Sequence, residues 1–322
     1  MPLIGSSFKA AIGVRSPTLQ TVLPALFRNP RPATLCHRHR LQLPDSDFID
    51  FDHYPVAGKK LAVISHGLEG NSKARYVRGM VRALSADGYD VITWNMRGCS
   101  GKLNKLLPSY HSGFTQDLHA VITHALSFTG VSETVLIGFS VGGNLTLKLL
   151  GELGEKALPM IRAAVTFSVP TNLGSSAEVL ARPYNRIYMQ MFLRSLCAKL
   201  RAKELRQPGV LDLTGIERIK NFRQYDSRFI APLFGFESAE DYWTRASSES
   251  FIPAIRVPTL LLTSRDDPFL DPVTLPVVSA QHSDFFYLEV SEVGGHVGFM
   301  NSHPWGTFYS EQRALEFLNN QH

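Results

Sequence analysis

The stretch TVLIGFSVGGNLTLKLL, residues 134–150, decides the fold of this chain. It begins with an apolar run typical of a strand buried on both faces, and it ends with a segment of helical character. Between the two lies Gly138-Phe139-Ser140-Val141-Gly142, a Gly-x-Ser-x-Gly motif. In this context the motif forms a tight strand-to-helix turn that presents the serine hydroxyl for chemistry. We therefore predict that Ser140 is a nucleophile, against the alternative of an incidental serine in a glycine-rich turn.

Short apolar runs recur along the chain and predict further buried strands. They are residues 61–65, 91–94, 163–167 and 259–263, with another candidate at 285–290. Residues 48–54 alternate apolar and polar side chains, which indicates a half-exposed antiparallel or edge strand. Segments with helical character lie at 74–86, at 117–128 with Thr115 as N-cap, at 141–150 and at 304–318. Strands alternating with helices predict an α/β fold with a mainly parallel, doubly wound sheet.

The alternation of strands and helices stops between residues 169 and 256, where the sequence becomes helical and irregular. This segment predicts a helical cap or lid inserted into a core made of residues 45–168 and 257–322. Residues 1–44 are expected to form an N-terminal arm packed on that core. Such an insertion lies at the edge of the sheet where ligands bind in this class of fold.

A serine hydroxyl needs a base, and the motif predicts an acid and then a histidine downstream. The apolar run at 259–263 is followed by Asp266 and Asp267, and His296 follows two glycines after the last strand candidate. Asp267 immediately precedes a proline turn, so we expect it to face His296, while Asp266 is solvated or supports the turn. These positions predict Ser140, Asp267 and His296 as the catalytic residues.

The negative charge that develops on an attacked carbonyl oxygen requires backbone N–H donors. One donor is expected from Val141, directly after the serine, and the other from the loop after the strand at 61–65. That loop reads Ser65-His66-Gly67-Leu68-Glu69-Gly70, and we assign the second donor to the backbone N–H of Leu68. His66 is expected to orient the loop rather than to react.

Composition limits the other function classes. The 322 residues carry a formal net charge of +5, but the cations are concentrated at residues 1–44 and 177–206. No recognition motif accompanies them, so we do not expect a nucleic-acid partner. Three Cys without a Cys-x-x-Cys pair argue against a disulfide framework and against a zinc or redox site. We expect neither a cofactor nor a metal, and a small acyl ester as the binding partner.

The basic segment of the cap has two interpretations. Tyr188, Phe192, Leu196 and Leu200 recur at helical spacing beside several cations. The favoured interpretation is a cap helix that packs its apolar stripe inward and leaves its cations in solvent; the alternative is a lid that faces a lipid surface. The aromatic residues Tyr225, Tyr242 and Trp243 either line an acyl pocket or belong to the core.

The N-terminus has neither a secretory signal nor a myristoylation site, and no stretch of the sequence is apolar enough to span a membrane. We expect a cytoplasmic protein, with peripheral membrane contact through the basic segments as an open alternative. The sequence leaves the oligomeric state undetermined.

Several longer motifs resemble those of the α/β-hydrolase superfamily and, more narrowly, of the YheT-like hydrolases. They are HGLEGNS, WNMRGCSG, YHSGFTQDL, IGFSVGGN, FRQYDSRFIAPLFGFESAEDYW, PTLLLTSRDDPFL and GGHVGF, and SPTLQTVLPALFR near the N-terminus is also similar. The resemblance covers nearly the whole chain. It implies the α/β-hydrolase fold, the same three catalytic residues, and esterase activity on short- or medium-chain acyl esters.

The expected function is therefore a serine carboxylesterase that acts through an acyl-enzyme. Some relatives implied by the resemblance act on acylglycerols or phospholipids, so a lipase at a lipid surface is one alternative. An acyltransferase or thioesterase could use the same residues, because the motif does not specify the acyl acceptor. A membrane-associated binding protein built on a hydrolase scaffold is an alternative of another class.

Overall fold

The computed structural model describes residues 2–32, 34–56, 58–301 and 306–321. Its strands are β1 (Leu3–Gly5), β2 (His37–Gln42), β3 (Phe48–Tyr54), β4 (Lys60–Ser65), β5 (Tyr89–Trp94), β6 (Thr134–Phe139), β7 (Ile161–Phe167), β8 (Thr259–Ser264) and β9 (Phe286–Ser291). Its helices are α1 (Pro17–Phe27), α2 (Arg75–Ala86), α3 (Thr115–Thr129), α4 (Val141–Leu153), α5 (Leu173–Ala181), α6 (Arg186–Arg206), α7 (Phe222–Tyr225), α8 (Ala231–Phe234), α9 (Ala239–Ala246), α10 (Val277–Gln281) and α11 (Tyr309–Asn319). A π-helical turn at Asp226–Ile230 joins α7 to α8.

The described strands form one nine-stranded sheet in the order β1-β9-β8-β7-β6-β4-β5-β3-β2. Strands β4 to β9 all run parallel, whereas β3 is antiparallel to both β5 and β2. The sheet confirms the predicted mainly parallel α/β fold, and each predicted apolar run coincides with one of β4 to β9. The parallel strands bring their carboxyl ends to one edge, where α/β sheets bind their ligands.

Both faces of the sheet are buried, which explains the continuous apolar runs. In β4, Leu61 and Val63 join the apolar cluster that α3 and α4 cover, while Ala62 and Ile64 join the cluster that α2 and α11 cover. Successive side chains of a strand point to opposite faces, so a strand covered on both sides is apolar at most positions.

The prediction that residues 48–54 form an antiparallel strand is confirmed, but the prediction that this strand is half-exposed or at the edge was wrong. β3 is the second strand from the edge, since β2, which belongs to the predicted N-terminal arm, pairs along its outer side. The polar side chains of β3 are buried and paired: Asp52 accepts from Arg38 at 2.5 Å, and Asp50 accepts from Arg40 at 2.7 Å. The alternation therefore reflects a buried row of ion pairs and not a solvent-facing side, because a buried carboxylate is tolerated when a cation compensates it.

Two predicted helix starts also differ from the structure. α3 begins at Thr115 itself, and the preceding Phe114 is the cap residue, while the Thr115 hydroxyl donates to Glu152 Oε2 at 2.6 Å. The last helix, expected over 304–318, is found at Tyr309–Asn319, and residues 302–305 lie outside the described part of the chain.

The segment predicted as a cap contributes helices α5 to α9, as expected from its helical and strand-poor sequence. These helices share an apolar cluster that also contains Phe269, which follows β8 in the core. The cluster places the cap segment beside the carboxyl end of β8, next to the predicted site.

Candidate active site

Ser140 is the single residue between β6 and α4, and its backbone is strained. Its φ is 52°, a left-handed value that a non-glycine residue adopts only where the surroundings enforce it. A Cβ on Gly138 would lie 2.6 Å from Gly143 Cα, and a Cβ on Gly142 would lie 2.4 Å from the carbonyl oxygen of His66. Both glycines are therefore needed for the backbones to approach this closely, and the turn projects the serine from the edge of the sheet.

The structure brings the three predicted catalytic residues together in one hydrogen-bonded chain. His296 Nε2 lies 2.9 Å from Ser140 Oγ, and His296 Nδ1 lies 2.9 and 3.1 Å from the two oxygens of Asp267. The Asp267 side chain is only 1% exposed, and its Oδ1 also accepts the backbone N–H of Phe269 at 2.9 Å. This arrangement can remove a proton from the serine hydroxyl and hold the resulting imidazolium beside a fixed carboxylate.

The neighbouring carboxylate, Asp266, has a different position. Its Oδ1 accepts the backbone N–H of Gly295 at 3.0 Å, so it supports the loop that carries His296. Burial raises the pKa of this carboxyl group. Asp267 therefore faces the histidine ring, and Asp266 holds the backbone next to that histidine.

Helix α1 holds the same histidine loop from the outside, which the sequence reasoning did not foresee. Thr21 Oγ1 accepts the backbone N–H of His296 at 2.9 Å, and the carboxamide of Gln20 bonds to both the N–H and the C=O of Met300. A Cβ on Gly298 would lie 2.2 Å from the Gln20 carbonyl oxygen, so glycine is required where the loop passes the helix. The available signal was the pair of polar residues Gln20-Thr21 inside a mostly apolar helix.

The loop after β4 is fixed by buried polar contacts. Both ring nitrogens of His66 form hydrogen bonds. Nδ1 donates to the Gly67 carbonyl oxygen at 2.7 Å, and Nε2 accepts the Met96 N–H at 3.1 Å. Burial lowers the pKa of His66 to about 4, so the ring is neutral at pH 7. The hydroxyl of Tyr76 accepts the Gly67 N–H at 2.9 Å. His66 thus orients the loop and does not contact the serine hydroxyl.

Leu68 and Val141, the predicted oxyanion donors, line the same cavity as Ser140 and His296. Within the described part of the chain, neither backbone N–H has a hydrogen-bond acceptor. Two such donors beside the serine hydroxyl are the arrangement that an oxyanion requires.

Glu69, the residue after Leu68, connects this loop to the cap helix α6. Its carboxylate accepts from Lys199 Nζ at 2.7 Å, from the Tyr110 hydroxyl at 2.8 Å and from the Ser195 hydroxyl. Its backbone φ is 55°, and its N–H donates to the Tyr110 hydroxyl at 3.0 Å. The carboxylate is buried, with 6% of the side chain exposed, so its position depends on these partners.

The same contacts correct part of the prediction for α6. The apolar stripe packs inward as favoured, with Leu196 and Leu200 buried in the cap cluster. The cations are not all in solvent, however: Lys199 reaches Glu69, and Lys203 is buried and donates to Asn104 Oδ1 at 2.7 Å. Their long aliphatic parts let the ammonium groups reach acceptors in the core, which helical spacing alone does not reveal.

A cavity of about 100 Å³ opens from Ser140 and His296 into the cap segment. The aromatic residues Tyr225, Tyr242 and Trp243, for which the sequence allowed a pocket or a core position, are both buried and part of the cavity lining. The cavity is therefore mostly apolar, with the serine hydroxyl at one end.

No group of three or more His, Cys, Asp or Glu side chains within residues 2–32, 34–56, 58–301 and 306–321 is arranged to hold a metal ion. In the same ranges, none of the helices combines the length and the apolar character needed to cross a bilayer.

Comparison with known proteins agrees with this geometry. The family model for the alpha/beta hydrolase fold matches residues 63–302, well over half of the chain. The chain belongs to the α/β-hydrolase family. As a member of this family, it carries Ser140, Asp267 and His296 in the order Ser–Asp–His along the sequence.

The relatives of this α/β hydrolase agree on the type of enzyme. The chain is 33% identical to "Putative esterase YheT" of Escherichia coli over 92% of its own length and 87% of that protein. It is 34% identical to human phospholipase ABHD3 over 78% of its length, but it spans only 62% of that longer protein. The esterase Pf2001 of Pyrococcus furiosus shares the fold, with a TM-score of 0.60, 17% identity, and coverage of 91% of this chain and 99% of that chain. The chain is an α/β hydrolase of the esterase and lipase type.

Proposed function

We propose that the protein is a serine carboxylesterase that cleaves short- to medium-chain acyl esters. The observation that carries the proposal is the hydrogen-bonded chain from Ser140 Oγ through His296 to Asp267 at the mouth of a mostly apolar cavity. A hydroxyl, a base and a buried carboxylate in this order are suited to acyl transfer.

In the proposed mechanism, Ser140 Oγ attacks the ester carbonyl carbon while its proton moves to His296 Nε2. The backbone N–H groups of Leu68 and Val141 stabilise the tetrahedral oxyanion, and Asp267 stabilises the imidazolium. Collapse of the intermediate breaks the bond to the alcohol, which takes the proton from His296, and leaves an acyl-enzyme. Water then attacks the acyl group with His296 again as base, so that the acid is released and Ser140 regains its proton.

The central experiment measures hydrolysis of p-nitrophenyl esters from acetate to palmitate by the wild-type protein and by Ser140→Ala. We expect the substitution to lower kcat by several orders of magnitude without unfolding the protein. A fluorophosphonate probe should label the wild type and not Ser140→Ala. Near-normal turnover by the variant would overturn the assignment, and a wild-type protein that is neither labelled nor active would favour a binding protein on a hydrolase scaffold.

A second candidate function, hydrolysis at a lipid surface, is favoured by the outer face of α6. Ile187 and Met191, one turn apart, are 79% and 58% exposed, and Tyr184 just before the helix is 63% exposed. Arg186 and Arg194 flank these apolar side chains and are also exposed. Apolar side chains bordered by cations can bind an anionic membrane surface, and ABHD3 is named a phospholipase.

The lipid-surface candidate predicts that anionic vesicles raise the activity on long-chain esters. The double variant Ile187→Ser/Met191→Ser should lose this activation and retain hydrolysis of a soluble short-chain ester. Indifference of the wild type to vesicles would remove the candidate and leave a cytoplasmic esterase of soluble substrates.

We further propose that residues 169–256 act as the cap that encloses the acyl chain over a core of residues 45–168 and 257–322. The arm of residues 1–44 would brace the histidine loop.

A further inference from the structure

The cavity contains a carboxyl group that the proposed mechanism does not use. Asp226 lies in the cap segment at the start of the π-helical turn and is 7% exposed, and it forms part of the cavity lining. Turns of this kind are rare and frequently occur at functional sites.

Asp226 is incompletely satisfied. Its Oδ2 accepts the indole N–H of Trp243 at 2.8 Å. Among the residues that the structure describes, Oδ1 has no hydrogen-bond donor and no Lys or Arg forms an ion pair with this carboxylate. Burying an unpaired carboxylate is costly, and burial raises the pKa of Asp226 to about 7. A buried, unpaired carboxylate that faces a cavity is suited to bind a ligand that supplies the missing positive charge.

The surroundings of Asp226 select the kind of cation. Phe222, Tyr225, Tyr242 and Trp243 line the same cavity, so the carboxyl group stands among aromatic rings. Ring faces attract organic cations, most strongly quaternary ammonium groups, when water is excluded. A small hydrated metal ion would instead require several oxygen ligands, and the described residues place no second carboxylate in the lining of this cavity.

We propose that Asp226 and the surrounding aromatic rings form a subsite for an organic ammonium group of the ester substrate. This inference rests on the proposed function, because it identifies the substrate class of the same cavity. The ammonium group would pair with Oδ1 of Asp226 while the ester carbonyl lies at Ser140. Asp226 then determines specificity and takes no part in the bond changes.

The test measures binding in Ser140→Ala protein, so that its result does not depend on turnover. Isothermal titration calorimetry at pH 8 compares choline with 3,3-dimethylbutanol, its uncharged isostere. We expect choline to bind more tightly by roughly tenfold or more. Equal binding, tighter binding of the isostere, or no binding of either ligand would overturn the subsite and leave the esterase proposal untouched.

Asp226→Asn assigns the preference to this side chain, because the amide oxygen can still accept from Trp243. We expect the preference for choline to disappear in that variant and to persist in the control Asp212→Asn, an exposed aspartate of the cap segment. A preference that persists in Asp226→Asn would place the cation elsewhere and refute the inference. If Asp226→Asn does not fold, the absence of a preference for choline over its isostere in the Ser140→Ala protein would still overturn the subsite.

The affinity for choline should also rise between pH 6 and pH 8, as Asp226 loses its proton. Tyr225 and Tyr242 face the same cavity, but burial raises the pKa of both above the usual value, so they stay neutral in this range. Burial lowers the pKa of His111 to about 3, so this cavity residue also stays neutral. His296 is present in both proteins, and comparison with Asp226→Asn therefore isolates the contribution of Asp226. A flat pH profile would contradict the subsite.

Discussion

Removing Lys199 should destabilise the protein and slow the proposed ester hydrolysis, although this residue does not contact Ser140. Lys199→Met leaves Glu69, whose side chain is 6% exposed, without its cation. Breaking a buried ion pair by deleting one partner costs about 3–5 kcal/mol. Lys199 is 18% exposed, and the hydroxyls of Tyr110 and Ser195 still donate to Glu69, so we expect roughly 3 kcal/mol, at the lower end of that range.

The effect on catalysis follows from the position of Glu69 directly after Leu68. If the unpaired carboxylate turns toward water, the Leu68 N–H moves away from the proposed oxyanion position. Loss of one oxyanion donor costs about 100-fold or more in kcat, and a displaced donor should cost about tenfold. Because the N–H acts on the transition state, we expect kcat to fall with little change in KM.

The assay combines thermal unfolding with steady-state hydrolysis of p-nitrophenyl butyrate. The matched control is Arg201→Met on the exposed side of the same helix, which should leave both quantities near the wild type. The double variant Glu69→Gln/Lys199→Met removes both charges and should recover part of the lost stability, because no buried charge remains unpaired. Wild-type stability and kcat in Lys199→Met would refute the reasoning that this pair fixes the loop.

Three further predictions concern the strand-to-helix turn at Ser140, the N-terminal arm and the cavity. Gly142→Ala places a Cβ 2.4 Å from the His66 carbonyl oxygen, so we expect loss of soluble folded protein or of fluorophosphonate labelling, and normal labelling would contradict the close packing. Thr21→Val removes the acceptor for the His296 N–H, which should cost about 1–3 kcal/mol of stability and lower kcat, with exposed Thr123→Val as the control. Burial raises the pKa of Asp226 from the usual 3.8 to about 7, so its contribution to stability is fully present below pH 3.8 and is lost as the pH rises through 7. The free energy of unfolding should therefore decline less over this pH range in Asp226→Asn than in the wild type. Identical curves for the two proteins would exclude the raised pKa of Asp226.

The strand-to-helix turn and the buried strands could be predicted from the sequence because their causes are local. A strand covered on both faces is apolar at most positions, and the turn at Ser140 needs glycines on both sides. The same local reasoning misjudged β3, whose polar residues are buried. A pairing partner in β2 neutralises them, and a partner strand is not visible in the pattern of a single segment.

The proposed catalytic residues could be chosen because chain order and strand ends restrict the candidates. The choice of Asp267 over Asp266 followed from the proline turn, and the structure places Asp267 against the His296 ring and Asp266 against the backbone of Gly295. The contacts that hold these residues in place could not be predicted from the sequence. Thr21 bonds to His296 across 275 residues of sequence, and Lys199 of α6 bonds to Glu69 across 130. Contacts at such separations follow from how helices pack and leave no periodic signal.

The sequence by itself determined the class of fold, the proposed nucleophile and the order of its proposed partners, because each rests on residue types at fixed local spacing. Only the tertiary structure decided which cations of the basic segments form ion pairs inside the molecule. Arg38, Arg40 and Lys199 pair with buried carboxylates, so part of the positive charge of these segments is neutralised inside the molecule. The tertiary structure also left Asp226 in the cavity without a counter-charge. Composition counts charges, but burial and distance decide which of them remain to act on a ligand.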